Sequence, residues 1–184
     1  MKPTMTSYSD LRRAAATFFS ELGEWSYDEW KRMNSEFFGN ANEPGAILWG
    51  LTPYGCGLAY YSFMHNSITM HTSLVYPSTD APWSIENLGK KYASDVLLHE
   101  MMHQYIHQMS LPVTSDSHND PSWCAEVNRI GALLGFKNML RAEVVKQRRV
   151  EGKRKWLPKP GCMARKDFAE FPHSQRPDGF YSYR

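Results

Sequence analysis

At 184 residues, with 42% hydrophobic and 14% aromatic content, the chain is long enough to bury one core, and one domain with an extension is the expected organisation. Its three cysteines, Cys56, Cys124 and Cys162, are odd in number and far apart, so neither a disulfide framework nor a structural zinc cage follows from them and a reducing compartment is the simpler expectation. The formal net charge of +2 is unevenly placed, no run of about 18 apolar residues occurs, and residues 1–20 lack a signal-peptide core, so a cytoplasmic protein that stays off membranes is expected.

In chain order, Ser9-Asp10 caps a predicted helix running to about Leu22, and Ser26 caps a second from Tyr27 to Phe38 whose Trp30, Met33, Phe37 and Phe38 form a core stripe. Three segments rich in β-branched and aromatic residues follow, Ala46–Thr52, Leu58–Met64 and Ile68–Tyr76, separated by turn residues at 53–57 and 65–67. A helix is predicted over Tyr92–Met109, with Leu98, Met101, Met102, Tyr105, Ile106 and Met109 on one broad arc and His99 and His103 at its edge. Asp120-Pro121 starts another, an N-cap oxygen followed by a residue whose missing N–H costs nothing in the first turn. Its stripe is Trp123, Val127, Ile130 and Leu134, and Gly135 stands at its end. The pattern predicts an α+β fold, a small antiparallel or mixed sheet packed on the 92–109 helix.

That helix carries His99-Glu100-Met101-Met102-His103. Histidines four apart on a helix share a face, the spacing a zinc ion requires, while the intervening glutamate sits about 100° round the helix, near a metal-bound water but turned from direct ligation. A third nitrogen is expected from His118, just before the next helix, where a reversing loop can return it to the pair and leave one position open for water. Glu126 and Asp120 remain alternative ligands. His107 is rotated off the metal face, and His65, His71 and His173 lack ligand-spaced partners.

On His99, Glu100, His103, His118 and Trp123 the chain resembles the SprT-like (Spartan-type) zinc metallopeptidases. The resemblance extends diffusely over residues 20–136, including the 26–39 segment as the helix before the family's sheet. It implies a zincin-like metallopeptidase domain at 1–136, a Zn2+ cofactor held by His99, His103 and His118, Glu100 as general base and a protein substrate. The family's C-terminal zinc ribbon is missing, so no function resting on it is implied.

Residues 137–166 hold 11 Lys or Arg against 2 Glu. Within this basic extension, 137–184, the residues Arg148, Arg149, Lys153, Arg154 and Lys155 with Trp156 combine phosphate-seeking cations with a ring able to stack on a base. A solvated charged face is the alternative, whereas the resemblance implies action on proteins crosslinked to DNA. The expected activity is thus a zinc endopeptidase, with two competing readings: a nucleic-acid-associated binding or regulatory protein with a structural or vestigial metal site, and a general intracellular peptidase not acting at DNA.

Overall fold

Helix α1 (Tyr8–Phe38) starts where Ser7 accepts a hydrogen bond from the Asp10 N–H, and it ends at Gly39, held in the left-handed region at φ 58°. The computed structural model of the chain describes residues 7–52, 58–75, 90–112, 121–133, 149–150 and 153–154. A break at Ser20 (φ 51°, ψ −136°) divides α1 into two arms. The arms fold back on each other: Arg12 grips Asp28 through Nε and Nη2, both at 2.8 Å, and reaches Glu24 at 3.1 Å, while the Tyr8 hydroxyl donates to the Tyr27 carbonyl at 2.9 Å. Gly23 makes the close approach possible, because a Cβ there would lie 2.2 Å from the Ala15 carbonyl oxygen.

The turn between the arms therefore comes earlier than the sequence suggests. Ser26 caps nothing; it lies inside the second arm, its hydroxyl donating to the Leu22 carbonyl at 2.7 Å and accepting from Trp49 Nε1 at 2.9 Å. A serine hydroxyl serves equally as a cap or as a back-bonded group inside a helix, and here the indole of a distant strand decides which.

Three strands follow: β1 (Ala46–Gly50), β2 (Ala59–Ser62) and β3 (Ser67–His71). Their order is β1-β3-β2, with β3 parallel to β1 and antiparallel to β2, so the sheet is mixed and, among the described residues, β1 and β2 are its edges. Tyr27 fixes the first edge to α1, its hydroxyl donating to the Gly45 carbonyl at 2.8 Å and accepting from the Ile47 N–H at 3.0 Å. After β3, His71 caps a short 3-10 turn at Thr72–Leu74 by accepting from the Ser73 N–H at 3.0 Å, a structural task for that histidine. Helix α2 (Lys90–Gln108) and helix α3 (Pro121–Leu133) complete the layer, α3 opening on the proline as its sequence predicts. A separate two-residue ladder pairs β4 (Arg149–Val150) with β5 (Lys153–Arg154).

The chain is thus a small α+β fold. Ile47, Trp49, Ala59, Tyr61, Ile68 and Met70 alternate inward from the sheet to meet Trp30, Met33 and Phe37 of α1 and Leu97, Met101 and Met102 of α2. Each full burial of a side chain such as Met33 or Ile68 contributes about 1.5–3 kcal/mol. Trp123, Val127 and Ile130 seat α3 on the same core. Among the described residues no helix is long and apolar enough to cross a membrane.

A non-glycine residue in the conformation of Ser20 costs on the order of 1–3 kcal/mol. Ser20→Gly is expected to raise unfolding stability by about 1 kcal/mol, the remainder being lost to the greater freedom of glycine in the unfolded chain. Gly23→Ala should lower it by about 1–3 kcal/mol, because the obstructing atom is backbone and cannot step aside. Urea unfolding of the two variants measures both shifts.

Candidate functional site

Both motif histidines sit on α2, which is enclosed more completely than its helical wheel suggests. From Ala93 to Met102 every residue is buried, Ser94, Asp95, His99 and Glu100 included. The sequence predicts an apolar arc with the histidines at its edge. The far side is covered as well, because α3 lays Trp123 across both rings: its indole stacks on His103 with centroids 4.1 Å apart at 21° and tilts against His99 at 4.6 Å. A stacked indole covers a face of the imidazole while leaving the ring edge, where the nitrogens lie, to other partners.

Helix rotation matters here, since one residue of slip turns each side chain by about 100°. Gln104 prevents it. Its Oε1 accepts from Trp30 Nε1 at 3.0 Å, and its Nε2 donates to the Glu43 carbonyl at 3.1 Å and to Asn66 Oδ1 at 2.9 Å. One turn later Gln108 repeats the grip, donating to the same two oxygens and accepting from the Glu43 N–H at 2.8 Å. Asn42 adds a bond from its Nδ2 to the Met101 carbonyl at 3.3 Å, and is itself clamped by Asn34 through both main-chain groups. None of these amides stood out in the sequence. A glutamine directly after the second histidine, in a helix this apolar, was the available signal.

With rotation set, Glu100 faces β2. Its carboxyl is buried and accepts a hydrogen bond from the Tyr61 backbone N–H. Burial pushes its pKa up to about 8, the Tyr61 N–H opposing that rise. A cation beside a carboxyl acts in the same direction as that N–H. Tyr61 can donate this bond because of strand register. The His71 N–H pairs with the Leu58 carbonyl at 2.8 Å, so alternation along β2 leaves Ala59 and Tyr61 in the wide pairs, with their N–H groups turned to the outer edge.

The centroids of His99 and His103 lie 5.1 Å apart, at 69° to each other. That is the spacing of side chains one helical turn apart, and it leaves the two rings close enough to share an ion. His103 keeps partial exposure where His99 does not. His118, the third expected ligand, and Asp120 lie outside the described residues, and among the described residues no group of three or more His, Cys, Asp or Glu is placed to hold a metal. Glu126 is committed elsewhere: its Oε2 receives Arg129 Nε at 2.9 Å and Nη2 at 2.7 Å, and that guanidinium sits over the rings of Phe38 and Tyr105. His107 turns to the sheet, its Nδ1 3.2 Å from the Tyr61 hydroxyl.

Of the six expected nucleic-acid contacts, Arg148, Lys155 and Trp156 lie outside the described residues. For the other three the backbone gives register alone, Arg149 opposite Arg154 and Val150 opposite Lys153. Compared with known proteins, the chain matches no family model, no curated protein and no solved structure.

Gln104→Ala strips the partner from the buried Trp30 indole N–H, while the Glu43 carbonyl and Asn66 Oδ1 keep Gln108. A buried donor so orphaned costs about 1–3 kcal/mol. The variant is expected to unfold at markedly lower urea concentration, while Gln104→Glu at low pH, where the neutral acid can still accept from the indole and donate once, should recover part of the loss.

Proposed function

We propose that the chain is a zinc-dependent endopeptidase of SprT-like type, with His99, His103 and His118 as metal ligands and Glu100 as general base. The observation that carries this reading is the enclosed trio on α2: two imidazoles 5.1 Å apart under one indole, and a buried carboxyl beside them aimed at a sheet edge. A structural metal site needs no buried carboxyl at that position, and the desolvation of an acid without catalytic use is a standing cost.

Zinc held there by His99, His103 and His118 would supply a water acidified toward neutral pH and a Lewis acid for an amide carbonyl. Glu100, its carboxylate form favoured by the charge of the ion, would accept a proton from the water and return it to the departing amine. The Tyr61 N–H orients the carboxyl throughout. Trp123 holds His103 flat against α3, which keeps the ligand rings from rotating.

Action at DNA is the further part of the proposal. It is supported by the 11 cations against 2 Glu of residues 137–166. A general peptidase without DNA recruitment, and a binding protein with a vestigial metal site, are the competing outcomes of the tests that follow.

Elemental analysis of the purified protein should find one zinc per chain, lost in a His99→Ala, His103→Ala double variant and sharply weakened by His118→Ala but not by Glu126→Ala. Glu100→Gln should keep zinc and fold, since the amide still accepts from the Tyr61 N–H, and lose about 10²–10⁴-fold in casein digestion. Unaltered digestion by that variant would remove Glu100 from the mechanism, and zinc-free wild type would remove the mechanism altogether.

DNA binding should weaken steeply with salt, and neutralising Arg148, Arg149, Lys153, Arg154 and Lys155 should flatten the slope of log affinity against log salt by up to about 4 units. Trp156→Ala should weaken single-stranded binding about 5–150-fold with the slope nearly kept. Fluorescence anisotropy across a salt series reads both, and salt-independent or absent binding returns the protein to the general-peptidase reading.

A further inference from the structure

Helix α3 meets the core along a narrow line. Its buried apolar residues Trp123, Val127 and Ile130 fall within about 60° of one another round the axis. A keel of that width holds the helix down without fixing its roll, since apolar contact is non-directional. Roll matters at Trp123, whose indole lies 4.1 Å from His103 at 21° and 4.6 Å from His99. A helix with its side chains is about 10–12 Å across, so a roll of about 20° carries a side-chain tip about 2 Å. That displacement takes the indole off the ring it covers.

Arg129 supplies a contact off that line. It follows Trp123 by about 9 Å along the axis and about 120° round it. Its guanidinium carbon stands 5.7 Å from the ring centroid of Phe38, the last residue of α1, and 5.8 Å from that of Tyr105 on α2, two rings that themselves lie 5.3 Å apart. One planar group thus ties α3 to both neighbouring helices. Glu126, buried and set round the helix between the keel and Arg129, holds the guanidinium through Oε2, 2.9 Å from Nε and 2.7 Å from Nη2. A lysine cannot copy the arrangement, because its ammonium is a point charge whereas a guanidinium stacks as a plane. We infer that Arg129 is a positioning residue of the site: seated on Phe38 and Tyr105, it fixes the roll of α3 and so keeps Trp123 over His99 and His103. The inference rests on the zinc-ligand part of the proposed function and deepens it, since the ordering of the ligand rings then depends on a contact made at the far end of α3.

The test uses the full-length protein and reads the His103 ring by NMR. A stacked indole shields the imidazole protons beneath it, so in zinc-stripped wild type the His103 ring signals, identified by their loss in His103→Gln, should lie upfield of those of exposed His65. Arg129→Lys, which keeps a charge for Glu126, should move them back toward the His65 position, and Tyr105→Leu should do the same by removing one of the two rings. Because both changes cut one shared contact, the double variant should move them no further than Arg129→Lys alone. Ile68→Val, in the core of β3, lowers stability without touching that contact and should leave them in place. Titration of the same proteins with zinc against a chelator should give about 3–10-fold weaker binding in Arg129→Lys and in Tyr105→Leu, the range that cation–π contacts of a partly exposed side chain supply, and unchanged binding in Ile68→Val.

Signals that stay upfield in both Arg129→Lys and Tyr105→Leu overturn the positioning role, and zinc binding with casein digestion by wild type then leaves the peptidase reading standing. Signals that move as far in Ile68→Val also overturn it, because they report general loosening. Additive movement in the double variant overturns the shared contact. Should one of the two variants fail to fold, the other carries the same comparison. If wild type binds no zinc while its His103 signals follow Arg129 and Tyr105 as expected, the seating of Trp123 by Arg129 stands and the peptidase reading falls.

Discussion

The rotational setting of α2 is the constraint on which the rest of this structure depends. A helix buried on nearly every side could satisfy its apolar contacts at several rotations, because Leu97, Leu98, Met101 and Met102 spread round the axis. Amide hydrogen bonds cannot be satisfied at several. The indole of Trp30, the carbonyl of Glu43 and the amide of Asn66 meet Gln104 together at one angle, and misalignment leaves the buried indole N–H unpaired. Apolar burial supplies the bulk of the free energy, and the glutamine pair selects one arrangement from those that burial would accept.

Two consequences follow from that one angle. Glu100 is turned to β2, where a main-chain N–H is waiting for it, and His99 and His103 are turned to α3, where Trp123 lies over them. The polar residues of the motif therefore occupy the boundary between the sheet edge and α3, with His99 and Glu100 buried and His103 half-buried. Desolvation raises the pKa of that carboxyl, and the Tyr61 N–H opposes the rise. Packing and proposed chemistry share residues here: Tyr61 fills the core with its ring, orients Glu100 with its N–H and steadies His107 with its hydroxyl.

The paired arms of α1 act as the buttress. Its second arm supplies Trp30 to Gln104, Tyr27 to the start of β1, Ser26 to Trp49 and Asn34 to the loop that reaches Met101. The first arm holds the second through Arg12 and the close seat at Gly23. Arg12 is partly exposed and Asp28 more so, which limits that ion pair to less than about 1 kcal/mol. Close packing at Gly23 matters more, and the strain at Ser20 is tolerated because it lets the arms turn in so few residues.

By itself the sequence determined what depends on near neighbours. The stripe Trp30, Met33, Phe37 and Phe38, the proline start of α3, the three short strands and the shared helix of His99, Glu100 and His103 were all legible, because periodicity and capping act over a few residues. Only the tertiary structure decided that Ser26 is back-bonded rather than a cap, that β2 is an edge whose N–H groups face outward, that Trp123 covers the histidines and that Arg129 claims Glu126. These outcomes join residues far apart in the chain, as Gln104 joins Trp30 across 74 positions. A hydrogen bond of that span leaves no periodic trace, since its partners are chosen by which surfaces meet once the apolar faces have closed, and that choice belongs to the folded chain as a whole.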